Sequence, residues 1–301
     1  MRFRRALRPV LTAALVVTGA VGVVTPAAAS PQVAVDRPRS NVVSIFGDAA
    51  DPVSQGTTRV WRSGVDSVVM TPAGEGVRVV ARSAAGDRFE FLASPRAGGL
   101  FSNGEFPDAS ATATADHGAL RVISGGRSCA GGSTGHYKIL DRSEDQTRLW
   151  LIFEQRCAGA AGSMFGEIRM NQENDPTLLL APMRFEFPAK QVGTDGGAVP
   201  ITVINSGSAP LTIRAVDIVG APGYGPLRPV GDDSFGLGGT VSFHILSSTC
   251  QVLAPGASCV VLATYRPLLF TPTEAYVTFT DSTRAGKHTV SLAAPSALIA
   301  G

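Results

Sequence analysis

Four groups of residues in this 301-residue chain have types and spacings that chemistry uses. The first is Gly131-Gly132-Ser133-Thr134-Gly135 with His136, a match to the G-x-S-x-G string of serine hydrolases. Such a serine works on a sharp turn between a strand and a helix, where its hydroxyl is exposed and backbone amides face the oxyanion. Here a glycine-rich turn leads into a strand instead. No catalytic residue is therefore assigned, the chain is expected not to be an enzyme, and serine hydrolase is the alternative that Ser133 carries. The second group is acidic: Asp48 with Asp51, Glu144 with Asp145, and Asp232 with Asp233. Calcium takes about six to eight oxygens, which such loops pool with backbone carbonyls. None matches an EF-hand or a repeat-type loop. Asp48, Asp51, Asp232 and Asp233 stand as weak calcium candidates against a reading as solvated turn residues, and no metal or cofactor is assigned.

The third group is aromatic. Trp61, Tyr137 and Trp150 are of the kind that stacks on sugars, but Trp150 lies in the most apolar run and reads as core. Trp61, flanked by Arg59 and Arg62, and Tyr137 remain as candidate ligand contacts. The fourth group is Cys129, Cys157, Cys250 and Cys259. Four cysteines allow three connectivities, and pairing within each half of the chain is the simplest. Zinc is the competing reading, but there is no CxxC spacing, and only His136 stands near either pair at ligand spacing.

An even cysteine count suits an oxidising compartment, and the N-terminus agrees. Arg2, Arg4, Arg5 and Arg8 precede an uncharged apolar run at 10–24 and the small residues Ala27-Ala28-Ala29. That is the layout of a signal peptide over 1–29, cleaved near Ala29. The apolar run stops short of the about 20 residues a membrane span needs, so the mature chain is expected to have no span and to be secreted or envelope-associated. The signal holds four of the 26 basic residues and none of the 24 acidic ones, leaving 22 against 24, a formal charge of −2. A near-neutral surface without basic clusters argues against nucleic acid or anionic lipid as partner.

The elements that must position these groups read as strands. With 44% hydrophobic and 17% charged residues the chain is too apolar for disorder, and 34 glycines and 20 prolines without a period suit short strands joined by tight turns. An all-β fold of two domains follows: a tail at 30–40, a β-rich sandwich or barrel over 41–175, and a seven-stranded immunoglobulin-like β-sandwich over 183–295. Residues 171–182, polar and then interrupted by two prolines, read as a linker. In 149–154 apolar residues occupy both parities, which predicts a central strand covered on both faces. Glu167 and Arg169 share a face with Phe165 and read as a structural polar pair. In 211–219 the apolar parity slips, and a β-bulge near Ala215 would return both sets to the core.

The second half carries Phe185, the turn Asn205-Ser206-Gly207-Ser208-Ala209-Pro210-Leu211, Cys250, the run Leu253-Ala254-Pro255-Gly256-Ala257-Ser258-Cys259, and Tyr265 with Pro267. In these residues it resembles the bacterial choice-of-anchor D module and its relatives, the immunoglobulin-like domains named for ASPM, SPD-2 and hydin (ASH). An apparent insertion at 228–239 and a missing glycine after Pro267 depart from the pattern and bear on loop shape. The first half is similar to an uncharacterised β-rich domain of secreted bacterial proteins, through Gly47-Asp48, Asp51, Gly56, Phe153-Glu154-Gln155 and Gly166-Glu167-Ile168-Arg169. The resemblance implies architecture and export. Function is expected to lie in surface contacts, in adhesion, envelope association or scaffolding, with an unknown envelope protein or polysaccharide as partner. A carbohydrate- or calcium-dependent binding module is the alternative.

Overall fold

The computed structural model describes residues 39–173, 177–220, 241–268 and 270–298. The expected signal peptide, the tail up to residue 38, the insertion at 228–239 and the pair Asp232 and Asp233 lie outside the described residues. Among the described residues there are strands and no α-helix, so the fold is all-β. The strand run begins at Arg39, inside the span read as tail.

Ten strands come first: β1 (Arg39–Gly47), β2 (Arg59–Arg62), β3 (Ser67–Ala73), β4 (Gly76–Arg82), β5 (Arg88–Ser94), β6 (Gly104–Ser110), β7 (Ala119–Ser124), β8 (Ser133–Arg142), β9 (Leu149–Cys157) and β10 (Met164–Glu173). They form one sheet in the order β2-β1-β10-β9-β8-β6-β7-β5-β4-β3. Alternation along each strand explains its shape. Val43 and Ile45 of β1, Phe89 and Phe91 of β5, Leu151 and Phe153 of β9, and Ile168 of β10 all turn to one side and join a single buried cluster. A sheet this wide with one apolar face covers that face by curling on itself. Its two ends meet at a seam: Ser63 bridges to Asp66, and the Asn41 side-chain amide donates to the Val68 carbonyl at 3.0 Å. Of the sandwich and barrel alternatives, a nearly closed barrel is what forms. Gly166 faces the Phe153 ring inside it, where even a methyl group would collide.

Nine more strands follow: β11 (Leu178–Ala181), β12 (Arg184–Glu186), β13 (Ala198–Asn205), β14 (Leu211–Gly220), β15 (Phe243–Ser248), β16 (Val252–Leu253), β17 (Ser258–Tyr265), β18 (Thr273–Asp281) and β19 (Lys287–Ala294). They make a four-stranded sheet, β11-β13-β17-β15, and a five-stranded sheet, β12-β19-β18-β14-β16. Both contribute to one buried cluster, from Val203, Val261 and Tyr265 on one sheet to Val277, Phe279 and Leu292 on the other. The seven expected strands are present, and β11 and β16 add to them. Part of the span read as a linker is thus strand: Leu178 to Ala181 pair with Asn205 to Thr202. The register of β14 shifts between Ile213 and Ala215; Leu211, Ile213 and Ile218 are buried on either side of it, while Ala215 is exposed.

Asn205 shows how a short polar turn is pinned. Its side-chain amide donates to the carbonyls of Ala209 at 2.8 Å and Leu253 at 2.9 Å, and its side-chain oxygen accepts from the Gly207 amide at 3.0 Å. Asn205 is 1% exposed, and its bond to the Leu253 carbonyl is buried, so water does not substitute there. Asn205→Ala is expected to cost about 2 kcal/mol in urea unfolding, chiefly the penalty of leaving the buried Leu253 carbonyl unpaired.

Candidate functional site

The residues singled out by chemistry do not converge. Ser133 opens β8 opposite Cys157, and strand alternation places Ser133 and His136 on opposite faces. The string runs into a strand rather than a helix, so it forms no nucleophile elbow. Trp61, expected at the surface, is 2% exposed inside the barrel, with its ring 5.3 Å from that of Phe89. Strand parity decides this: Arg62 points to the other face, while Trp61 falls on the apolar face of β2 opposite Val43, a face that Arg59 shares two residues away. Tyr137 is also fully buried, stacked 4.5 Å from Phe106, and its hydroxyl donates to the Ser94 carbonyl at 2.7 Å. Burial pushes this phenol well above its ordinary pKa. Neither ring is available to a sugar, which corrects both ligand-contact assignments.

The acidic turns are largely used internally. Asp48 Oδ2 accepts from the Ser163 amide at 2.9 Å. Asp51, 1% exposed, caps its own turn, with Oδ2 accepting from the Ser54 amide at 2.5 Å and the Ser54 hydroxyl at 2.6 Å. They are turn-fastening groups rather than an open oxygen cage, and among the described residues no three His, Cys, Asp or Glu side chains gather as a metal site would require. Cys129 is bonded to Cys157 and Cys250 to Cys259, so no thiolate is left for zinc.

What the fold does bring together is the outer face of β9, β10 and β1 with the start of the second half. Alternation that sends Leu151, Phe153 and Ile168 inward sends Trp150, Ile152, Phe165, Glu167 and Arg169 outward, and there β11 and β12 cover them. Glu167 and Arg169 are each 1% exposed. The carboxylate accepts from the Trp150 indole at 2.7 Å and from the Met183 backbone amide at 2.9 Å. Arg169 donates to the Leu180 carbonyl at 2.7 Å, and its Nε lies 3.6 Å from Glu167 Oε1. Burial raises the Glu167 pKa, opposed chiefly by the Arg169 charge, and burial likewise lowers that of Arg169. The strand covered on both faces is β9, and its second cover is the other half of the protein. Trp150 is only half-buried, at this join.

Aromatic rings continue the join. Phe46 of β1 and Phe165 of β10 lie 5.5 Å apart, and each is 5.3 Å from Phe185 of β12. Phe187 follows, 4.7 Å from Phe185 and 5.3 Å from Tyr265 in the second core. A barrel residue, Phe46, is thereby buried within the second half's own cluster. At the edge Lys138 of β8 bonds Glu186 of β12 at 3.0 Å.

Beside this spine the two halves leave a cleft of about 350 Å³, within the size of small-molecule sites at about 300–1,000 Å³. Phe46, Phe165, Phe185 and Phe187 line its apolar side. Around them stand Asp48, Glu154, Arg156, Lys190 and Asp195. The Asp195 carboxylate accepts from the Gly197 amide at 2.9 Å, and Arg156 donates to the Ser163 hydroxyl at 3.1 Å. Neither Arg156 nor Lys190 has a carboxylate partner among the described residues, unlike Arg78, Arg88 and Arg148 elsewhere on the barrel. Sequence reading singled out Asp48 only as a calcium candidate and did not connect these residues, because they come from five separate segments. The one local signal was the outward parity of Phe165, Glu167 and Arg169, which marks a covered sheet face but not what covers it.

No protein-family profile and no curated protein sequence matches the chain. Among solved structures, it is similar to the ASH/PapD-like domain 7 of human CEP192, at 12% identity and a TM-score of 0.28 over 43% of this chain and 92% of that one. It is also similar to the secreted serine protease VesC of Vibrio cholerae, at 12% identity and a TM-score of 0.32 over 89% of this chain and 71% of that one. The VesB protease of Vibrio cholerae gives 11% identity and 0.30 over 85% and 96%. Likenesses of this size carry no argument about chemistry at a site. With two proteases among these neighbours, however, the expectation that the chain is not an enzyme is withdrawn.

Proposed function

We propose that the protein is exported and acts through surface contacts with a component of the cell envelope, a protein or a polysaccharide, and that the cleft between its halves is the contact site. The observation that carries this reading is the cleft itself: aromatic side chains on one side, two cations without carboxylate partners on the other, framed by elements from both halves. Ligand sites favour such places, where an apolar wall fixes one part of a partner and a few polar groups orient the rest. The two disulfides suit an oxidising compartment, and the N-terminal charge and apolar pattern supports export by a signal peptide. The turn at Asn205 and the run from Leu253 to Cys259 support placing the second half with choice-of-anchor D modules. No helix among the described residues is long and apolar enough to cross a membrane. The carbohydrate reading loses its two named rings to the core, and the calcium reading loses Asp51.

The test uses the chain from Ser30 onward, immobilised and exposed to the envelope fraction of its own cells. Lys190→Glu combined with Arg156→Glu is expected to reduce retention of the bound component at least tenfold while thermal unfolding stays within about 2 °C, as surface changes do. Equal retention by both proteins would remove the cleft as the contact site.

A further inference from the structure

A second cationic feature lies outside the lining of the cleft, at the end of the barrel where β2 meets the turn after β7. Arg59 reaches from β2 and Arg127 from that turn, and both guanidinium groups flank Gly125. A methyl group on Gly125 would sit 3.1 Å from Arg59 Nη1 and 3.5 and 3.6 Å from Arg127 Nη2 and Nη1. The two guanidiniums therefore lie within about 7 Å of one another, close enough to repel. Their compensation inside the protein is incomplete. The nearest carboxylate oxygen to Arg59, on Asp87, is 3.8 Å from Nη1, beyond hydrogen-bond reach. Arg59 Nη1 is buried and has no acceptor. Arg127 spends Nε on the Val53 carbonyl at 3.1 Å and makes no ion pair among the described residues.

The backbone at this point is shaped to leave room. Gly125 and Gly126 both have positive φ, 56° and 77°, a conformation that glycine adopts without strain. Both are exposed, so the turn that the two guanidiniums flank faces solvent. Guanidinium groups present fixed forks of N–H donors that match the oxygens of phosphate and sulfate. Two forks from different elements, one with an unsatisfied donor, suit a tetrahedral anion that offers oxygens in several directions.

We propose that Arg59 and Arg127, over Gly125 and Gly126, form a binding site for a phosphate or sulfate group, such as a phosphate or sulfate ester on an envelope polysaccharide. The site shares no residue with the cleft and stands or falls without it. It also fits the near-neutral charge of the whole chain, since two converging arginines recognise one anionic group and not a polyanionic backbone.

The experiment is a titration of the chain from Ser30 onward with inorganic phosphate and, separately, inorganic sulfate, at ionic strength held constant with chloride. Melting temperature is one readout and the amide resonances of Gly125 and Gly126 the other. One of the two anions is expected to raise the melting temperature saturably, by about 3 °C at ten times its dissociation constant, and to shift both glycine amides. Arg59→Gln with Arg127→Gln should abolish the saturable response, whereas Arg82→Gln, a change at an exposed arginine of β4, should keep it. Short phosphorylated and sulfated oligosaccharides then identify which ester is the natural one, with the uncharged oligosaccharide as the baseline. No saturable response beyond chloride in the unaltered protein, or the same response in the double variant, overturns the site. If the double variant does not fold, unmoved Gly125 and Gly126 amides in the unaltered protein do so alone.

Discussion

Arg169→Ala is expected to destabilise the protein by about 3–5 kcal/mol, the cost of breaking a buried ion pair by removing one partner, and to lower the melting temperature by about 10 °C. The loss has two parts. The Leu180 carbonyl loses its donor, and Glu167 is left as a buried carboxylate without its nearest cation. The second part depends on pH. Burial already holds the Glu167 carboxyl above the ordinary carboxylate range, and the Arg169 charge is the largest influence pulling it down, so removing Arg169 raises it further. A group whose pKa is higher in the folded state contributes fully below its unfolded value and loses that contribution as pH rises through the folded one. The deficit of Arg169→Ala should therefore be smaller at pH 5 than at pH 8 in denaturant titrations. Arg169→Met with Glu167→Gln keeps an acceptor oxygen for the Trp150 indole or the Met183 amide and removes both charges. Its deficit should be smaller than that of Arg169→Ala at pH 8 and should not grow as pH rises, because the titrating carboxyl is gone.

Loss of the Cys129 to Cys157 bridge is the second large effect. The bond spans 28 residues and ties the turn after β7 to the end of β9. The chain-entropy relation gives about 3.5 kcal/mol for a loop of this length, against about 2.5 kcal/mol for the 9-residue loop closed by Cys250 and Cys259. Cys157 is also 5% exposed within the barrel cluster, and the Gln155 side-chain amide, which also accepts from the Val122 backbone, lies 3.3 Å from Cys129 Sγ. Paired alanine substitutions should follow this order, Cys129→Ala with Cys157→Ala costing more than Cys250→Ala with Cys259→Ala in guanidinium unfolding. The reverse order would show that local contacts outweigh loop length here.

Strand type was readable wherever alternation was clean, as at Phe89 and Phe91 or along Val261, Ala263 and Tyr265, because one wet face and one dry face leave a period of two in the sequence. Strand β6 escaped because its residues are mostly exposed, Pro107 interrupts it, Asp108 has a φ of 56°, and its register shifts between Phe106 and Ala109. Strand β11 escaped because Leu178, Leu179, Leu180 and Ala181 are all buried, so no parity marks them and the neighbouring prolines suggested a linker. Trp61 shows the limit in the other direction. Charged neighbours in sequence said exposure, but Arg62 points to the opposite face of the strand, and Arg59, on the same face, is two residues away. The cleft and the two-arginine site were beyond local reading, since Phe46, Glu154, Phe185 and Lys190, or Arg59 and Arg127, meet only once the sheet has curled and the second half has docked on it.

The claim on which the rest depends is that the two halves are locked across the Glu167 and Arg169 pair, with the cleft framed by a fixed join. Hydrogen exchange at the Met183 amide and the Trp150 indole N–H, both donated to Glu167, tests it most directly. The prediction is exchange in the same slow class as the amides of Phe91 and Val122 in the barrel core. Exchange more than about 100-fold faster than that core would mean that the join opens on its own, and would contradict a locked interface.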